Sequence, residues 1–101
     1  MKSLMTFFDR WRGREGELFG LSTSIKTLTL LFRGDAPQSN LVLACIYPFR
    51  IEANSRWKES NMTVELIDLP GEGVCFRLID VDAGLCVVCD RVEAFENRKL
   101  W

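Results

Sequence analysis

Apolar positions along the chain change their period near residue 25. In "SLMTFFDRWRG", Leu4, Phe7, Phe8 and Trp11 recur at helical spacing and make one apolar stripe. Ser3 suits the start of such a helix and Gly13 its end. A helix this short gains its stability by docking, so residues 1–14 are expected to lie against something larger. From Ile25 onward the period is two. In "IKTLTLLFR", Leu28, Leu30 and Phe32 share one face, and Thr27, Thr29 and Arg33 share the other.

"GDAPQSN" (34–40) is a turn by composition, and "LVLACIY" (41–47) is a strand that is apolar on both faces. Pro48 cannot donate to a ladder, so the chain is expected to bend before "FRIEA". Residues 54–62 are polar and predict a loop or one helical turn. "TVELIDL", "VCFRLID" and "LCVVCD" predict strands over 63–69, 74–80 and 85–90, separated by turns at "PGEG" and "VDAG". The tail 91–101 reads as strand or short helix, and its Phe95 and Trp101 predict that it is packed.

These elements fit one α+β domain over residues 1–101. It has one N-terminal amphipathic helix (1–14) and an antiparallel sheet of five or six strands (25–101), open or strongly curled. No helical crossover of adequate length separates the strands, which argues against parallel pairing.

The chain has 101 residues, 48% of them hydrophobic and 27% charged, which is a globular composition. Its net charge of −1 lacks the basic excess of a nucleic-acid domain. Positive charge nevertheless gathers locally. Arg10, Trp11, Arg12 and Arg14, with Arg56, Trp57 and Lys58, form two basic–aromatic segments. They are candidate contacts for a protein, or for a nucleic acid as an alternative. Asp80, Asp82, Asp90, Glu93 and Glu96 are a candidate acidic patch. "LMTFF" is too short for a secretory core, and no run reaches the roughly 18–20 apolar residues of a membrane span. A cytoplasmic chain with four free thiols is therefore expected.

Catalytic chemistry finds little support. The chain has no histidine, which removes the commonest general base. It has no nucleotide-binding loop. "CVVC" has the spacing of redox and zinc motifs, but within a strand Cys86 and Cys89 point to opposite faces. "DVDAG" opens like a calcium loop, yet Leu85 and Arg91 stand where a glycine and a carboxylate are needed. No catalytic residue, metal or cofactor is expected.

"LACIYPFRIE", "GVCFRLIDVDAGLCVVCD" and "AFEN" resemble small bacterial β domains, of the kind found among immunity proteins of toxin systems and on mobile gene cassettes. That resemblance implies a non-enzymatic protein-binding module, in its sharpest form an immunity or inhibitor protein. The alternatives are a small-molecule-binding β domain and a nucleic-acid binder using the basic helix. Val42, Ile46 and Val88 occupy second faces that the single helix cannot cover, so a homodimer is expected.

Overall fold

The structure, a computed structural model, describes residues 2–36 and 39–97. It contains one short helix, α1 (Lys2–Arg10), and seven strands: β1 (Gly16–Ser22), β2 (Thr27–Arg33), β3 (Asn40–Glu52), β4 (Arg56–Trp57), β5 (Thr63–Leu69), β6 (Gly73–Asp80) and β7 (Leu85–Glu96). The strands form one sheet in the order β4-β1-β2-β3-β7-β6-β5. Every neighbouring pair is antiparallel. The sheet therefore has seven strands where the pattern predicts five or six. Ahead of Ile25 stands β1, and β4 lies within the segment read as a loop or helical turn. The tail resolves as strand as far as Glu96, while Trp101 lies outside the described residues.

Sheet curl follows from chain length. β4 and β5 are the two edges of the strand order, yet only residues 58–62 connect them. In a flat sheet the edges would lie roughly 29 Å apart, at about 4.8 Å per strand. Six Cα steps reach about 20 Å when fully extended. The sheet must therefore curl until its edges approach, but they do not pair, so it remains open.

The bend is concentrated at one corner. β3 and β7 are long enough, at 13 and 12 residues, to serve both halves of the sheet. Up to Ile46, β3 pairs with β2 on one side and with the end of β7 on the other. From Arg50 onward it pairs with the start of β7 alone. Between them the register shifts, and Phe49 is the extra residue. Strands turn sheet corners by such bulges. Pro48 sits at this irregularity, as its missing N–H requires. Tyr47 adopts φ 57, the left-handed region that a bulky side chain rarely enters. Its N–H donates to the Lys26 carbonyl at 2.7 Å, one step beyond the last β2–β3 pair.

One continuous core fills the concave face. Leu28, Leu30 and Phe32 point into it, as the period-two pattern predicts, and meet Leu41, Leu43, Cys45, Leu78, Val87 and Cys89. Leu4, Phe8 and Trp11 from α1 and its following turn close this core; Phe7 is only half-buried. Each fully buried side chain of this size contributes about 1.5–3 kcal/mol. Gly13, at φ 81, ends the helical turn and donates its N–H to the Ser60 carbonyl at 2.7 Å.

The convex face departs from the expectation that Val42, Ile46 and Val88 await a partner. Leu31, Val42 and Phe95 form one row across β2, β3 and β7. Val42 and Val88 are buried and Ile46 is half-buried within the single chain. With so little of their surface in solvent, they offer no patch for a second copy.

Candidate functional site

The basic–aromatic residues singled out in the sequence do converge. Arg10, Trp11 and Arg14 line a shallow pocket with Gly34, Asp35 and Ser39. Arg12, Trp57 and Lys58 line a neighbouring cleft of about 500 Å³ with Ser60, Asn61 and Asp82. Arg56 shares a third depression with Trp57 and Lys58. All lie around the α1–β1 turn and the crossover from β4 to β5.

Their chemistry is inward-looking. Trp11 and Trp57 are each only 7% exposed. The Trp11 indole donates to Glu96 Oε2 at 2.7 Å, and the Trp57 indole donates to Ser60 Oγ at 2.8 Å. Ser60 Oγ passes its own hydrogen to the Arg14 carbonyl at 2.7 Å. The Trp57 ring also lies directly on Gly16, where a Cβ would overlap it. The arginines are paired: Arg10 with Glu96, Arg12 with Asp9, Arg14 with Asp35 and Arg56 with Glu17. The Arg14–Asp35 pair holds the Asp35 carboxyl below its ordinary value, through a hydrogen bond and then charge attraction. Lys58 alone of the set has no ion pair among the described residues. These side chains tie the helix to the sheet and leave little positive charge to offer.

The acidic patch does not assemble. Asp80 is 1% exposed; it accepts the Asn61 N–H at 2.6 Å and the Ala83 N–H at 3.2 Å, fixing the β6–β7 turn against the crossover. Glu96 is committed to Trp11 and Arg10. Asp82 sits in the β6–β7 turn, while Asp90 and Glu93 stand farther along β7, so the exposed acids are spread over the strand rather than gathered.

The cysteines are structural in placement. All four are free, and among the described residues no three Cys, Asp or Glu side chains could hold a metal ion together. Cys89 is buried in the core; Cys86, on the other face, is half-buried. Cys45 lies beside Cys89. The hydrogen bond between these thiols, together with burial, holds Cys45 well above the ordinary thiol range. Burial likewise raises Cys75, with Asp90 and Glu72 adding to it. A thiol shifted upward is a poor nucleophile and metal ligand at neutral pH.

Pattern reading missed a different surface. At the far end of β1 and β2 from α1, Tyr47 and Phe49 are 49% and 37% exposed, with ring centroids 5.8 Å apart. Leu21, 52% exposed, lines a groove of about 310 Å³ with Lys26, Tyr47, Pro48 and Ile51. Ile25, 70% exposed, crowns the adjoining β1–β2 turn. The Lys26 ammonium lies 4.8 Å from the Tyr47 ring centroid. Exposed aliphatic and aromatic side chains gathered on one rim make this a candidate interaction surface. Strained backbone at Tyr47 points the same way, because such conformations cluster at functional positions.

Comparison with protein-family models, curated proteins and solved structures finds no match.

Proposed function

We propose that this chain is a non-enzymatic protein-binding module of the cytoplasm and that the Tyr47 corner is its contact surface. One observation carries the reading: Leu21, Ile25, Tyr47 and Phe49 are all exposed on one corner, held there by a bulge that costs backbone strain. Aromatic side chains are enriched at interface centres, and charged ones such as Lys26 belong to the polar rim around them. The narrower form is an inhibitor or immunity protein, whose target would seat an apolar loop against the groove.

Small-molecule binding is the second reading, favoured by the groove itself, whose volume of about 310 Å³ is at the lower end for ligand pockets. Nucleic-acid binding draws less support, since Arg10, Arg12, Arg14 and Arg56 are all engaged by carboxylates.

Site-specific photocrosslinking in cells tests the module. With a benzophenone amino acid at position 47, discrete protein adducts are expected on illumination, and none from position 58. Adducts from position 58 and none from position 47 would refute the assignment.

A further inference from the structure

We infer that the Tyr47 corner is self-complementary and joins two copies of this chain about a two-fold axis. The inference rests on the reading of that corner as a contact surface and adds the identity of its occupant.

The charges around the corner carry the argument. Lys26 makes no ion pair among the described residues; its contacts are with Tyr47, over the ring and at 3.5 Å from the hydroxyl. Ile46 pairs with Arg91 and Pro48 with Cys89, so Asp90 stands on β7 across from Tyr47. Glu93 follows three residues on. Asp90, Arg91 and Glu93 are exposed, and none of them is ion-paired among the described residues. By contrast, Arg10, Arg12, Arg14, Arg33, Arg50, Arg56 and Arg77 each have a carboxylate partner. The apolar corner is thus flanked by two unpaired cations and two unpaired anions.

A target of strong single charge would be matched by charges of the opposite sign alone. Balanced charges on either side of an apolar centre match a copy of themselves. In a two-fold contact residue i meets residue j and j meets i, so each complementary pair forms twice. Tyr47 and Phe49 would lie near the axis against their counterparts, with Lys26 of each copy facing Asp90 of the other. The corner replaces Val42, Ile46 and Val88 as the dimer surface, because those residues are already covered.

Light scattering of the full chain from micromolar to submillimolar concentration tests this. The mass is expected to rise from 11.6 kDa toward twice that value. Tyr47→Ser should hold it at the monomer. Lys26→Glu and Asp90→Lys should each weaken association about tenfold, as two like-charge oppositions replace two attractions. The double variant should regain most of the loss. Both charged positions are exposed, so circular dichroism should show each variant folded. A wild-type monomer at every concentration would overturn the inference, as would a dimer indifferent to Tyr47→Ser. Single variants that weaken association without rescue in the double would overturn the Lys26–Asp90 pairing. Adducts from position 47 to another protein, alongside a monomeric mass, would leave the binding module standing and remove the second copy as its partner.

Discussion

The two ends of the β1–β2 hairpin hold similar residues in opposite states. At the helix end, Trp11 and Trp57 are buried and hydrogen-bonded, and the surrounding arginines are ion-paired. At the corner, Tyr47 and Phe49 face solvent, and Lys26 has only an aromatic ring for company. Aromatic and basic residues occur at both ends, so composition does not separate them. What separates them is whether the chain brings something to cover them. The helix, the crossover and the carboxylates of Asp35, Glu17 and Glu96 all arrive at one end. Nothing among the described residues arrives at the other.

That contrast predicts an ordering of mutational effects. The largest belongs to the helix end. Trp11→Ala removes a buried indole and its hydrogen bond to Glu96, so it should cost about 3–5 kcal/mol. Urea denaturation would show this as a large drop in midpoint; an unchanged midpoint would mean that α1 does not close the core. Gly16→Ala should come next. Its methyl has no room beneath Trp57, and overpacking of this kind costs about 1–3 kcal/mol. Asp80→Ala leaves the Asn61 and Ala83 N–H groups without their acceptor, for about 1–3 kcal/mol.

At the corner the same measurement should find almost nothing. Phe49→Ser changes an exposed side chain and should stay within about 0.5 kcal/mol of wild type. Tyr47→Gly should hold stability or raise it, since glycine accepts φ 57 without a Cβ clash. Both substitutions should abolish binding while sparing the fold. A large loss of stability from either would erase the distinction between the ends.

The thiols supply the smallest effect. Native protein near pH 8 should leave Cys45 and Cys75 unmodified by a thiol reagent, because burial and, for Cys45, the Cys89 hydrogen bond disfavour their thiolates. Folded-state values raised above the ordinary 9.0 mean that the folded chain keeps these protons longer than the unfolded one. Their stabilising contribution is therefore present below the ordinary value of 9.0 and declines as pH rises through it toward the folded-state values. Rapid modification of Cys45 in the folded protein at neutral pH would contradict its placement.

Much of the sheet is legible from alternation. β2 buries Leu28, Leu30 and Phe32 as its period predicts, and the bounds of β2, β5 and β6 fall within two residues of those read from the pattern. Within β6, however, Val74 is exposed and Cys75 buried, the reverse of the faces that alternation assigns. β1 escapes because its register shifts between Leu18 and Gly20, which breaks the alternation. β4 is two residues long and has no period to read. β7 outruns its predicted end because Asp90 and Arg91 are both exposed where the strand turns the corner, which looks like a terminus.

The Tyr47 corner is harder to see in the sequence. Tyr47 and Phe49 stand in an apolar run, where aromatic residues read as core. The available signal was Pro48 between them, a residue that breaks a ladder and predicts the bend but not its exposure. The basic segments misled for the opposite reason. Arg14 and Arg56 look unbalanced locally, yet Asp35 and Glu17 neutralise them from distant positions in the sequence.

Amide chemical shifts across a concentration series test the central claim most directly. If the corner joins two copies of the chain, shifts on raising concentration should concentrate at residues 21–27, 46–50 and 90–93. The amides of residues 10–14 and 56–61 should stay fixed. Changes confined to the helix end, with a silent corner, would contradict the account.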